Sequence, residues 1–176
     1  DLGTTAWAIH DLFEILYHVL ELYGMEPDKL PQIEVDSIEQ SPGNIDFFNL
    51  INESLSGPSS KVKVNTPIQG DVLNGALEEI KISQYDVIVA SNIINEFPSY
   101  ADRLKFAQGI TEEMKSTASF ILLETAYMKD SIDLKQIQEA LTGEKDIHVL
   151  SPCGKIGPST DRCKSCYSFR RESLKI

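Results

Sequence analysis

The chain has 176 residues, 41% of them hydrophobic and 24% charged, the composition of one globular domain long enough to bury a core. No apolar run approaches the length of a bilayer crossing, and no signal-peptide pattern stands at Asp1, so neither a membrane-spanning nor a secretory reading is expected. A net charge of −11 argues against a generally basic nucleic-acid-binding surface.

Taken in order, Asp1-Leu2-Gly3-Thr4-Thr5-Ala6-Trp7-Ala8 reads as a strand end turning into a helix, the place where an open α/β sheet binds a nucleotide-like ligand. The turn has one glycine where such loops usually carry two or three. The strand that should lead into it is expected upstream of Asp1, with loop residues also missing. Residues 4–23 then predict a mostly buried helix, with Trp7, Ile9, Leu12, Phe13, Leu16, Val19, Leu20 and Tyr23 at helical spacing. His10 and His18 in that helix read as packing or surface residues rather than ligands. Gly24, Pro27 and Pro31 mark the following loop. Residues 33–39 predict a strand, and Ser41-Pro42 predicts the cap and first turn of a helix running to about residue 55. A strand is expected over 62–69, closed by Gly70-Asp71, then a short helix over 72–80.

Residues 85–90 give the clearest strand, with Val87-Ile88-Val89-Ala90 as the continuous apolar run of a strand covered on both faces. Helices over 100–115 and 132–141 flank a second such strand at 120–123, which ends in Glu124-Thr125. Strands are expected at 147–150 and 167–174 with no helix between them, so they should pair as an antiparallel hairpin. Alternating strands and helices predict a doubly wound, mainly parallel α/β sheet. Closed by an antiparallel hairpin, it is the Rossmann-like arrangement of class I S-adenosylmethionine-dependent methyltransferases. Residues 1–150 would form the donor-binding core, and residues 151–176 a cysteine-rich insertion with the last strand of the same domain.

Ligands in such folds sit beyond the carboxyl ends of the strands. There the chain carries Asp1 and Gly3, then Glu39, then Asp71, then Ser91, Asn92 and Asn95. Asp1 can hold the ammonium of S-adenosylmethionine, and the turn through Gly3, Thr4 and Thr5 fits against its amino-acid moiety. Glu39 can accept from both ribose hydroxyls and Asp71 from the adenine amine. Asp36 competes for the ribose role, but Glu39 stands nearer the helix-starting Ser41-Pro42. The competing ligand, NAD, would also want an acid here but would bring a fuller Gly-x-Gly-x-x-Gly turn. After the strand at 85–90 there is no Asn/Asp-Pro-Pro-aromatic motif, no cysteine for attack on a base and no evident general base. Catalytic residues are therefore unassigned, with Asn95 and Glu96 as possible contacts.

The three cysteines crowd into the last 24 residues as Cys153, Cys163 and Cys166, a C-x9-C-x2-C pattern unlike a disulfide framework. Two thiolates two residues apart can grip one metal and a third extends the shell, for Zn or a 4Fe-4S cluster. The fourth ligand is expected to be His148 or a cysteine downstream of Ile176. From Leu150 onward six basic residues (Lys155, Arg162, Lys164, Arg170, Arg171, Lys175) meet two acidic ones (Asp161, Glu172), so a basic end of +4 follows an acidic body of −15. That asymmetry points to a local anionic partner, with RNA one candidate and an ordinary solvated segment the other.

Four segments carry a resemblance: the Asp-x-Gly start with Thr-Ala-Trp-Ala, the Ile-Glu-Gln-Ser-Pro of residues 38–42, the Asp-Val-Ile-Val-Ala-Ser-Asn-Ile-Ile-Asn-Glu of residues 86–96 with Arg103 following, and Ser-Pro-Cys leading to Cys-x-x-Cys-Tyr-x-Phe. The chain resembles the methyltransferase-like family of mitochondrial small-ribosomal-subunit assembly factors and their bacterial relatives. The resemblance implies a class I methyltransferase fold, a cysteine-bound Fe–S cluster near the final hairpin, and association with small-subunit ribosomal RNA. It places the protein in the bacterial cytoplasm or the mitochondrial matrix. Where that family has Pro-His after the first cysteine, this chain has Gly154-Lys155. The family's members act in subunit assembly with methyl transfer an open question, in keeping with the missing catalytic signature. Two readings follow, a methyltransferase acting on ribosomal RNA and a non-catalytic docking factor that keeps the fold. A third, methyl transfer to a small molecule or protein, is favoured by the acidic body.

Overall fold

Helical spacing of apolar residues from Thr4 onward produces helix α1 (Thr4–Leu22), which lays one stripe on a pair of short parallel strands. The computed structural model describes residues 4–55, 60–124, 128–142 and 147–148, in two units that divide between Ile80 and Lys81.

In the first unit β1 (Ile33–Val35) pairs with β3 (Val62–Val64), and β2 (Ile38–Glu39) pairs with β4 (Ile68–Gln69), both in parallel. The two expected strands, 33–39 and 62–69, are therefore each broken once. Ile33 stands opposite Val62 but Ile38 opposite Ile68, so the second strand carries one extra residue at the break. The break is stitched by Asn65 N donating to Val35 O at 2.9 Å, Ile68 N to Ser37 O at 2.8 Å, and Asn65 Nδ2 to Asp36 Oδ1 at 2.7 Å. Helix α2 (Pro42–Leu55) follows β2 and buries Phe48, whose ring stacks on Trp7 of α1 at 5.2 Å between centroids. Ala6, Tyr17, Leu30, Val35, Val62 and Val64 complete that core, with Ile9, Phe13 and Leu20 packed against it.

Helix α1 is not mostly buried, contrary to the sequence expectation. Leu12, Ile15, Leu16, Val19 and Leu22 are exposed, Leu22 by 73%. Two strands span only about 5 Å between axes. Among the described residues one stripe of α1 finds cover there, and the rest of its apolar arc does not. Of its histidines, His10 lies largely buried with Nδ1 3.0 Å from Asp11 Oδ1, and His18 is exposed.

The helix expected over 72–80 is two 3-10 turns, Val72–Asn74 and Ala76–Glu79. Gly75 between them has φ +95°, a left-handed conformation that glycine adopts without strain and that stops the first turn. Gly70 is needed for a different reason: a Cβ there would stand 2.6 Å from the Cβ of Ala76.

In the second unit β5 (Val87–Ser91) pairs in parallel with β6 (Ser119–Leu123) over five residues, from Val87 opposite Ser119 to Ser91 opposite Leu123. Helix α3 (Tyr100–Glu113), capped by Ser99 Oγ accepting from Asp102 N, joins them, and α4 (Met128–Thr142) follows. Ile94, Ala107, Ile137 and Leu141 form the core, with Phe120 and Leu122 of β6 packed against it. Alternate residues point the other way. Val87, Ile121 and Leu123 are exposed, so the two-faced burial expected of these strands is one-faced among the described residues.

The architecture is thus mixed α/β, with short parallel strand pairs interleaved with helices. Of the expected hairpin of strands 147–150 and 167–174, Ile147 and His148 carry no strand, and the rest lies outside the described residues.

Candidate functional site at the strand ends

In the first unit the chemistry-bearing residues gather where β2 and β4 end side by side. Glu39 is the last residue of β2, opposite Gln69 of β4, and Asp71 lies two positions beyond Gln69. Both carboxylates are half-buried and both are already held by the chain. Glu39 Oε1 accepts from Ser41 N at 2.8 Å, which fixes the carboxylate against the start of α2. Asp71 caps the Val72–Asn74 turn, with Oδ1 accepting from Leu73 N at 2.8 Å. Its Oδ2 accepts from Asn74 Nδ2 at 2.5 Å and from Gln40 Nε2 at 3.4 Å. Gln40 therefore bridges the two strand ends. Beside them Gly70, Asp71, Asn74, Gly75, Ala76, Glu78 and Glu79 line an open depression rich in carboxylate.

Such a surface accepts hydrogen bonds and favours positive charge. Its acceptor set matches a ligand that presents hydroxyl and amine donors with a cationic centre, and disfavours a phosphate. Glu39 is presented at a strand end with its orientation set by a backbone N–H, which suits a vicinal diol. Each carboxylate oxygen of Asp71 already accepts from the chain, so a ligand amine would share Oδ2 or displace Gln40, whose bond is the longest of the three. Asp36, the competing acid, is engaged by Asn65 across the strand break.

In the second unit the segment after β5 is pinned at three points. Asn92 N donates to Leu123 O at 2.8 Å, the last rung of the ladder. Asn92 then turns with φ +55°, a left-handed conformation that asparagine tolerates better than most side chains. Glu124, just past β6, next takes Ile94 N on Oε1 and Asn95 Nδ2 on Oε2, both at 2.6 Å. At the far end Phe97 O accepts from Arg103 Nε and Nη2 at 3.3 and 3.2 Å. The Arg103 guanidinium, 7% exposed, is ion-paired through Nη1 with Asp133 of α4. Ile94 is buried, while Asn92 and Asn95 are exposed and Ser91 is half-buried.

Of the residues expected at a donor pocket, Glu39 and Asp71 are brought together, and Ser91, Asn92 and Asn95 follow one another on the pinned segment. Thr4 and Thr5 open α1, whereas Asp1 and Gly3 lie outside the described residues. So do all three expected metal ligands, Cys153, Cys163 and Cys166. His148 is exposed, and among the described residues no group of three or more His, Cys, Asp or Glu side chains could hold a metal. Sequence reasoning noted Glu124 as a strand end and Arg103 as part of a motif, but missed both as clamps. The logic that selected Glu39, an acid directly after a buried strand, would have selected Glu124.

No family model matches the chain, and none of the curated proteins or solved structures matches it.

Proposed function

We propose that the protein is an S-adenosylmethionine-dependent methyltransferase-like protein of the class I fold that acts on or docks to small-subunit ribosomal RNA. The observation that carries the donor half of this reading is the pairing of Glu39 and Asp71 at the adjacent ends of β2 and β4, with Gln40 between them. Acidic acceptors at successive parallel strand ends are what a nucleoside carrying a sulfonium and an ammonium needs. Glu39 would take the ribose hydroxyls and Asp71 the adenine amine. When bound, the donor supplies a methyl group activated by its sulfonium charge. The chain's part is to hold and orient it, since no described residue stands out as a general base. The RNA half rests on the resemblance of the four segments and on the basic run after Leu150. Cys153, Cys163 and Cys166 would bind the Fe–S cluster or Zn of this reading.

Calorimetric titration of anaerobically purified protein with S-adenosylmethionine and S-adenosylhomocysteine tests the donor site. Micromolar binding of both is expected, and Glu39→Ala should weaken it by about 2 kcal/mol, the loss of a charged hydrogen-bond acceptor. Unchanged affinity in that variant would remove Glu39 from the site. For the metal, Cys163→Ser with Cys166→Ser should abolish metal content, and full occupancy would refute the assignment.

One observation favours a second reading. Asp71 already receives three hydrogen bonds from the chain itself, the pattern of a strand end stabilised for its own sake. In that reading the protein is a non-catalytic assembly factor that keeps the fold, and folded, metal-loaded protein would bind neither donor nor product yet sediment with small subunits.

A further inference from the structure

Of the chain's seven asparagines only Asn74 is followed by glycine; the other six precede Ile, Leu, Glu or Thr. Asn74 is exposed, closes the Val72–Asn74 turn, and leads into Gly75 at φ +95°. Glycine carries no Cβ to shield its own nitrogen or to restrict its φ, so it leaves the preceding amide open to attack. Geometry opposes that attack in the folded chain. Cyclisation needs the Asn74 side chain turned forward, with its Cγ against the Gly75 nitrogen in a near-attack arrangement. Here the side chain is held backward, with Nδ2 donating to Asp71 Oδ2 at 2.5 Å. The backbone on either side of Gly75 is tied to the same residue, since Asn74 N and Ala76 N both donate to Asp71 O, at 2.9 and 3.1 Å.

We propose that Asn74-Gly75 is a deamidation site and that Asp71 is the gate that slows it. When the turn opens, the Gly75 nitrogen gives up its proton to solvent and attacks Asn74 Cγ. The new N–Cγ bond closes a five-membered succinimide, the Cγ–Nδ2 bond breaks, and ammonia leaves with a proton taken from water. Water then opens the ring at either carbonyl, leaving aspartate or isoaspartate at position 74, and no oxidant or reductant is consumed. Either product carries a free carboxylate where a neutral amide stood. Asp71 thereby loses the Nδ2 donor and gains a like charge beside it, which loosens the turn that its bonds had held. The reaction is one-way, so it marks the age of the molecule at the end of β4. The chemistry needs no ligand and stands whether or not the donor-site reading holds.

The test is peptide mapping by mass spectrometry of the full chain held for days at mildly alkaline pH, with fragmentation that separates isoaspartate from aspartate. Wild type, Asp71→Ser and Asp71→Ala are compared, with the wild-type chain unfolded in urea as the ungated reference. Conversion is expected first at Asn74 and slower in the folded chain than in urea. Serine can still cap Leu73 N but is too short to hold Asn74, so Asp71→Ser isolates the gating bond from the cap. It should speed conversion about fivefold, the equivalent of one net hydrogen bond. Asp71→Ala, which loses the cap as well, should speed it at least as much. Conversion at another asparagine ahead of Asn74 would overturn the site. Aspartate without isoaspartate would mean direct hydrolysis by water, and would remove Gly75 as the attacking group. A wild-type rate in Asp71→Ser would overturn the gate, as would an Asn74 inert in Asp71→Ala yet reactive in urea. Should Asp71→Ala fail to fold, Asp71→Ser decides alone.

Discussion

The end of β4 and the end of β5 solve one problem in opposite ways. Beyond β4, Asp71 is fixed by Leu73 and Asn74, residues two and three positions further on, with Gln40 as the single partner from elsewhere. Beyond β5, the segment to Phe97 is fixed from afar, by Glu124 about thirty positions on and by Arg103, itself anchored on Asp133 thirty positions beyond. A locally capped strand end folds with its own turn. A remotely clamped one exists only after its unit has assembled, and it reports the integrity of that unit. Substitutions at the first kind should therefore have small, confined effects, and substitutions at the second kind large ones.

The largest effect is expected at Asp133. Asp133→Ala leaves the Arg103 guanidinium buried without its counter-charge, and breaking a buried pair from one side costs about 3 kcal/mol or more. Urea denaturation followed by circular dichroism should show that loss, together with faster amide exchange around Phe97. A variant within about 0.5 kcal/mol of wild type, the range of an ordinary surface substitution, would mean that Arg103 is well solvated and that remote clamping is the wrong description. Gly70→Ala comes next. The new methyl would meet the Ala76 methyl at 2.6 Å, and relieving that overlap should cost about 2 kcal/mol. Trp7, the chain's single tryptophan and packed against the first unit's core, gives the fluorescence signal for that measurement. Asp71→Ala should cost only about 1 kcal/mol, the value of a lost cap. A loss at Asp71 as large as that at Asp133 would erase the distinction between the two strand ends.

The same distinction explains what could be read from the residues alone. Helices α1, α2 and α3 and strands β5 and β6 follow from apolar spacing and from Ser41-Pro42, all signals within a few positions of one another. Glu39 and Asp71 were legible as candidates because each is an acid directly after a strand. The break at Asp36 and Ser37 was not, because it depends on one extra residue in the partner strand nearly thirty positions away. Nor were the turns over Val72–Glu79, where the left-handed Gly75 overrides the helical spacing around it. The exposed half of α1 escaped for a related reason. Spacing reveals that Leu12, Ile15, Leu16 and Val19 share the helix with Tyr17 and Leu20, but not how wide a surface lies beneath. Clamps such as Glu124 and Arg103 are invisible to any short window.

Tyr17 offers the finest test, because it tethers α1 by one bond whose strength can be varied with pH. Its hydroxyl donates to Pro31 O at 2.8 Å, tying the helix to the loop ahead of β1, and the ring is buried. Burial first, and then the nearby Glu14 carboxylate, hold its phenol above the ordinary value of 10.0. Tyr17→Phe should cost about 1 kcal/mol at neutral pH, the net worth of one neutral hydrogen bond. The sign of the pH effect follows from the raised value. Below pH 10 the phenol is protonated in folded and unfolded chains alike, and its contribution is complete. As the pH climbs past 10 the unfolded chain loses its proton first, so the folded state gives up stability until its own phenol ionises. The stability gap between wild type and Tyr17→Phe should therefore be constant from pH 7 to about 9.5 and shrink above it. Comparing the two proteins cancels the other five tyrosines. A gap that stayed constant to pH 11 would mean that Tyr17 ionises as freely in the folded chain as in the unfolded one, and that its bond to Pro31 is open to water.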